Sequence, residues 1–198
     1  MLAQLIQPFY RSEHPQRDLE LQQVEALNKR VFGKSGMVLV GGDRPTYAYL
    51  FSLCDPDRVN IIANSDIYFS TDSLQRIVEF YTNPANAQTC MALSRWEVQD
   101  HAQRESATLW DHRDSQDVWI FRGKPDVPGA DFTLGIPGCD NRIAKVILDA
   151  GYTVINPSRT IKSYHLHTSG HRTYGTGRGG VKRDVIPGPY HFIQPHEL

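Results

Sequence analysis

Three short stretches of the sequence carry side chains that could do chemistry together. In "VNIIANSDIYFS", residues 59–70, an apolar run ends in Asn64, Ser65 and Asp66 before a second apolar patch begins. Asn, Ser and Asp are ordinary turn residues, so a plain turn accounts for them. The other reading puts an amide and a carboxylate at the end of a buried strand. Two apart in extended chain, Asn64 and Asp66 would point to one side and could hold a ribose hydroxyl and a divalent cation. In "SYHLHTSGHR", His165 and His167 flank Leu166 and share a side if the chain is extended. They read either as surface histidines or as ligands, and imidazole suits Mn²⁺ better than Mg²⁺. Asp66 with one of the two histidines would leave coordination positions open for a diphosphate. In "GIPGCDNRIA", Asp140 stands at a helix start behind Gly135, Pro137 and Gly138. It is either a helix N-cap or a general base that a ligand reaches across glycine-rich backbone.

The elements that must position these residues can be read from periodicity. "QLIQPF", "MVLV", "VNIIA", "TCMALSRW", "SQDVWIF" and "TVIN" read as strands. "PQRDLELQQVEALNKRVFG" reads as a helix with Leu19, Val24, Leu27 and Val31 on its inner stripe and Gly33 as its stop. "RPTYAYLFSLC" is a short helix with Pro45 in its first turn, and "TDSLQRIVEFYTNP" a helix capped by Thr71 or Asp72. "DNRIAKVILDAGY" is the clearest helix, with Ile143, Val146, Ile147 and Ala150 as its stripe and Gly151 ending it. Strand and helix alternate through the first half. A mainly parallel α/β sheet flanked by helices is therefore expected, with ligands beyond the carboxyl ends of its strands.

Composition narrows the function classes. With 198 residues, 40% hydrophobic and 22% charged, the chain suits one globular domain. A net charge of −1 gives no electrostatic reason to expect nucleic acid as partner. Cys54, Cys90 and Cys139 lie far apart and are odd in number, which argues against a disulfide framework or a zinc ribbon and for a reducing compartment, the cytoplasm. No apolar run is long enough for a membrane span, and "MLAQLIQPFYR" lacks the pattern of a signal peptide. From residue 168 to 198 glycines alternate with Arg172, Arg178, Lys182 and Arg183. This stretch is either a disordered tail or a basic loop that orders over an anion such as a pyrophosphate.

Taken in order, "QPFYR", "NSD", "PGCDN" and "HLH" resemble the GT-A glycosyltransferases, in particular the branch containing the β-1,4-galactosyltransferases. The resemblance spans about residues 4–170 and rests on the shared order of short motifs. It implies one Rossmann-like GT-A domain over residues 1–198 that moves a sugar from a nucleotide-diphosphate donor to a glycan or glycoconjugate acceptor, using Mn²⁺ or Mg²⁺. Pro8, Phe9 and Arg11 match the family's nucleotide segment, with Tyr10 inserted. Asn64 and Asp66 match its D-x-D motif, with an amide in place of the first acid. Pro137 to Asp140 match its acid segment, with Cys139 in place of Glu, which leaves Asp140 as the catalytic base. His165 or His167 matches its metal histidine. Arg44 and Arg172 join the donor-binding set, and Trp96, Asp117 and Trp119 would line the acceptor side, although either Trp also suits a core. Two other functions are weighed beside this one. The chain could be a non-catalytic nucleotide-sugar-binding module. It could also be a sugar nucleotidyltransferase, which "QPFYRSEH" after the first strand disfavours because that class carries a glycine-rich basic loop there. The short chain is also compatible with a piece of a larger multidomain enzyme.

Overall fold

The computed structural model describes residues 2–42, 44–171 and 185–198. Its centre is a six-stranded sheet built from β1 (Ala3–Pro8), β2 (Met37–Val40), β3 (Val59–Ala63), β5 (Thr89–Leu93), β8 (Val118–Arg122) and β9 (Thr153–Ile155). The strands lie in the order β2-β1-β3-β8-β5-β9. Side chains alternate across it as the period of two requires. Ile6, Ile62, Ala92, Trp119 and Phe121 face one way, against Tyr47, Leu50 and Phe51 of helix α2 (Tyr47–Ser52) and Ile143 and Ile147 of α4 (Cys139–Asp149). Leu5, Ile61, Met91, Leu93 and Ile120 face the other way, against Ile77 and Tyr81 of α3 (Thr71–Thr82).

The α/β expectation holds, but the sheet is mixed rather than mainly parallel. β1 runs parallel to β2 and β3, and β5 to β9, while β8 is antiparallel to both of its neighbours, β3 and β5. The reason is local. A parallel return needs a crossover, usually a helix. Helices separate the early strands, but no α-helix lies between β5 and β8. That stretch builds a second sheet instead. β4 (Ile67–Phe69), β6 (Arg95–Val98), β7 (Thr108–Leu109) and β10 (Ser163–Leu166) pair in the order β4-β10-β6-β7.

Helix α1 (Pro15–Phe32) crosses the small sheet, and its inner face departs from the expected stripe. Leu19 is 65% exposed, while Arg17, Glu20 and Asn28 are buried beside Leu21 and Val24. Asn28 donates to the Ile67 carbonyl at 2.9 Å and accepts from the Phe69 N–H at 3.1 Å, completing the hydrogen bonding of β4. The caps also differ from expectation. Ser70 caps α3 through the Ser73 N–H, and Thr46, not Pro45, precedes α2 and caps it. Gly138 stands at the N-cap of α4, which places Asp140 inside the first turn rather than at the cap.

Beyond residue 184 the chain lies against the start of α4. His191 N–H donates to the Asn141 carbonyl at 2.9 Å, and Ile193 is buried in the core. The rest of the expected basic tail, with Arg172, Arg178, Lys182 and Arg183, lies outside the described residues. Among the described residues no helix is long and apolar enough to cross a membrane, and all three cysteines are buried and free.

The close approach of this last segment makes Gly138 hard to replace. Its φ is +85°, and a Cβ there would lie 2.8 Å from the Ile186 carbonyl oxygen, a backbone atom with little freedom to move. Gly151 has a similar φ of +88° with nothing near its missing side chain. Gly151→Ala is therefore expected to cost only the left-handed strain, about 1–2 kcal/mol. Gly138→Ala should cost clearly more, read as the larger drop in denaturant midpoint.

Candidate metal centre

The segment after β3 is both of the things its composition allows. Ile67 N–H donates to the Asn64 carbonyl at 3.1 Å, closing a four-residue turn, and that turn carries the carboxylate. Because the chain turns, Asn64 and Asp66 do not act side by side as extended geometry would have them. The Asn64 side-chain amide donates to Asp117 Oδ1 at 2.8 Å, while Asp66 Oδ2 accepts from Arg17 Nη2 at 2.6 Å. Asp66 nevertheless lies where a ligand site in such a sheet belongs, just past the carboxyl end of an interior strand.

Strand β10 brings both histidines to Asp66. His165 Nε2 lies 3.2 Å and His167 Nδ1 3.7 Å from Asp66 Oδ2. One donor atom from each of Asp66, His165 and His167 falls within 4.8 Å of the others. Second partners set the tautomers. His165 is the register neighbour of Glu97 on β6, and its Nδ1 meets Glu97 Oε2 at 2.7 Å. His167 Nε2 meets the carbonyl of His171 at 2.8 Å. A carbonyl can only accept, so His167 carries its proton on Nε2 and presents a bare Nδ1 to Asp66. A neutral His165 that donates from Nδ1 to Glu97 likewise presents a bare Nε2, the carboxylate–histidine arrangement of metal sites. Two imidazole nitrogens and one carboxylate oxygen form a donor set that could hold a divalent transition-metal ion, without selecting one such metal.

The surroundings are a chain of alternating charge. Glu20 pairs with Arg17 at 3.2 Å, Arg17 with Asp66, His165 with Asp66 and Glu97, and Arg95 with Glu97 at 2.6 Å and Asp117 at 3.1 Å. Burial alone would raise the Asp66 carboxyl, but His165 and then Arg17 hold it well below the usual range. Burial opposes charge on His165 too, and Asp66 and Glu97 overcome it, raising the imidazole to about 9. Glu97 is held down to about 2, burial being outweighed by His165 and Arg95. Glu20 is tied further by Thr168 and Ser169, whose N–H groups donate at 2.9 and 2.7 Å.

Asp140 lies at the other end of this chain. The half-buried Asp140 carboxyl is raised to about 8, first by burial and then by the charge of Asp117. Asp117 itself is 7% exposed and spends both oxygens on Asn64 and Arg95, so it acts as a fixed charge rather than an open acceptor for sugar hydroxyls. The two expected aromatic platforms are elsewhere. Trp119 is fully buried with its ring against Tyr47, which leaves no face for a sugar. Trp96 lies on the opposite side of β6 from Arg95 and Glu97, its Nε1 donating to the Ser158 carbonyl and the Lys162 ammonium lying over its ring at 4.0 Å. Trp110, which the sequence did not single out, is 39% exposed and lies beneath the Arg95 guanidinium at 5.0 Å.

Of the residues expected to bind the donor, Pro8 and Phe9 lie nearest the Asp66 turn. Pro8 ends β1, and Phe9 follows with its N–H on the Val40 carbonyl. Both line a shallow crevice with Gln7, Tyr10, Leu39 and Ser65. Arg11 is exposed and pairs with Asp18 at 3.3 Å. Arg44 donates to the Gly135 carbonyl at 2.9 Å and so ties itself to the segment before Asp140. Arg172 lies outside the described residues. Arg17, Glu20, Arg95 and Glu97 escaped sequence reading because each sits among ordinary charged residues of a helix or strand, with no motif to mark it. Only the i,i+3 spacing of Arg17 and Glu20 hinted at a pair.

No protein-family model matches the chain, and no curated protein matches it either.

If these three donors hold one cation, titration calorimetry with Mn²⁺ should show one site per chain. Asp66→Ala, His165→Ala or His167→Ala should each abolish it. Glu97→Gln keeps the shape but weakens the hold on the His165 ring, and should reduce affinity by about 10–100-fold. Unchanged affinity in Asp66→Ala would exclude the site.

Proposed function

We propose that the chain is a metal-dependent glycosyltransferase of the GT-A type, using a nucleotide-diphosphate sugar as donor and a glycan or glycoconjugate hydroxyl as acceptor. The observation that carries this reading is the meeting of Asp66, His165 and His167 beyond the carboxyl ends of β1 and β3, with Asp140 one carboxylate away across Asp117. The crevice at Pro8 and Phe9 adjoins the Asp66 turn through Ser65 and would take the nucleoside. The Trp110 ring is 39% exposed although the His112 ring stacks on it at 4.4 Å and the Arg95 guanidinium lies over it at 5.0 Å, so the acceptor sugar would meet its exposed part.

The chemistry follows from charge. A cation held by Asp66, His165 and His167 would act as a Lewis acid toward the diphosphate. Asp140 takes the proton from the acceptor hydroxyl as the acceptor oxygen bonds to the anomeric carbon. The bond from that carbon to the phosphate oxygen breaks, its electron pair leaves with the diphosphate, and the anomeric centre inverts. A carboxyl raised to about 8 is a stronger base than an ordinary aspartate and still ionises near neutral pH. The Arg17–Asp66 pair favours one alternative, a non-catalytic nucleotide-sugar-binding module in which Arg17 supplies the positive charge.

Asp140→Asn separates the two readings. Transfer from a panel of nucleotide sugars with Mn²⁺ should be measurable for the wild type and fall by about 10²-fold or more in the variant, with donor affinity nearly unchanged. A binding module would show donor affinity and no turnover in either protein.

The same variant has an expected effect on stability. The folded Asp140 carboxyl titrates at about 8 against an ordinary value of 3.8, so between those values the folded state binds more protons than the unfolded one. Stability is then lost as pH rises through that window. Asp140→Asn should therefore gain in melting temperature over the wild type, with the gap widening from about pH 5 to pH 8. A constant gap would mean that Asp140 titrates normally.

Trp110→Ala should raise the acceptor KM by about 10-fold with kcat little changed, as the loss of a binding platform requires. An unchanged KM would remove Trp110 from the acceptor side.

A further inference from the structure

The small sheet has two faces, and the metal centre uses one of them. On the other, Tyr68, Trp96, Val98, Tyr164 and Leu166 pack toward Val24 and Leu27 of α1. Toward the C-terminal end of α1 this packing stops short and leaves a groove of roughly 340 Å³. Leu27 and Val31 form one wall, Tyr68 and Phe69 the floor, and the turn at residues 101–104 the far side. Tyr68 is only two residues from Asp66 and pairs with Tyr164, the neighbour of His165, so the groove and the metal centre are separated by the face of the small sheet rather than by distance.

Three independent features of the groove call for an anion. The Tyr68 side chain is 1% exposed, and its hydroxyl is one of the few buried polar atoms with no hydrogen-bond partner. Leaving such a group unmatched is costly, which makes it a standing donor for a ligand acceptor. The rim carries Arg30 and Arg104, and neither has a carboxylate partner among the described residues. Ser70 and Thr71, the cap and first residue of α3, also line the groove, which puts the positive end of that helix at its edge. The nearby acids are engaged elsewhere. Asp72 holds Arg76 at 2.9 Å, and Asp100 accepts from the Ala102 N–H at 2.9 Å and meets His101 at 3.1 Å.

We infer that this groove is a second binding site, separate from the metal centre, for a small phosphomonoester whose apolar body rests on Leu27, Val31 and Phe69. Two guanidinium forks, a helix start and one phenol match the several acceptor oxygens of a phosphate better than the two of a carboxylate. A volume of roughly 340 Å³ fits a compact ligand rather than a polymer.

Phenyl phosphate is a suitable probe, titrated by calorimetry into the full chain with EDTA present to keep divalent cations away. The wild type should bind phenyl phosphate more tightly than inorganic phosphate, and phenol not at all. Arg104→Gln and Arg30→Gln should each weaken binding by about 10-fold, and Asp66→Ala should leave it unchanged. Tyr68→Phe gives the sharpest contrast, because it should weaken binding by about 10-fold while raising the melting temperature of the free protein by about 2–4 °C, as an unmatched buried hydroxyl is removed. The inference is overturned if the wild type does not bind, if phenol binds as well, or if Tyr68→Phe and Arg104→Gln bind like the wild type. Loss of binding in Asp66→Ala would move the anion to the metal centre. Binding only to phosphatidylcholine vesicles that contain phosphatidic acid would replace the soluble ligand with a membrane surface.

Discussion

The Asp66 carboxylate is the point on which the candidate site turns. It is half-buried, charged and shared by three cationic or protonatable neighbours from two elements distant in sequence, Arg17 on α1 and His165 and His167 on and after β10. An unpaired carboxylate in that position would cost several kcal/mol, so the elements that supply its partners are bound to the place where it sits. From Asp66 the alternation of sign continues outward to Glu20 on one side and through Glu97 and Arg95 to Asp117 on the other. The large sheet and the small sheet meet along this line. Its role in holding them is specific rather than strongly stabilising, since buried ion pairs give back in desolvation most of what they gain by attraction.

Such a line also ties the two ends of the site together. Asn64 and Asp66 belong to one four-residue turn, yet one reaches Asp117 and the other reaches the histidines. Burial, and after it the charge of Asp117, raises the Asp140 carboxyl.

Much of the framework was legible because hydrophobic periodicity reports it directly. The strand "VNIIA", the α4 stripe and the α3 face around Ile77 and Tyr81 all stand where the pattern put them, whereas "TCMALSRW" divides at Ser94 into β5 of the large sheet and β6 of the small one. The direction of β8 was not legible, since direction depends on what connects two strands and an apolar run such as "DVWIF" reads the same both ways. The inner face of α1 was hidden for a different reason. A helix that buries Arg17, Glu20 and Asn28 looks, to any hydropathy pattern, as if its outside were its inside. In the site itself, Asp66, both histidines and Asp140 stood out by type and spacing, whereas Arg95 and Glu97 gain their meaning only from the register of β6 against β10. Trp119 illustrates the converse, because an aromatic within a strand has the same signature whether it fills a core or greets a ligand.

The docking of the last described residues against α4 bears on the order of events at birth. Chains emerge from the N-terminus and their parts fold as they become available. Residues up to β9 suffice for every pairing of the large sheet. The histidines arrive on and just after β10, and the cover over the start of α4, through Ile186, His191 and Ile193, arrives later still. A nascent chain would thus own a nearly complete large sheet, with Asp66 in place, while His165, His167 and the surroundings of Asp140 were still unmade, so the grouping around Asp66 would close only on a scaffold already built.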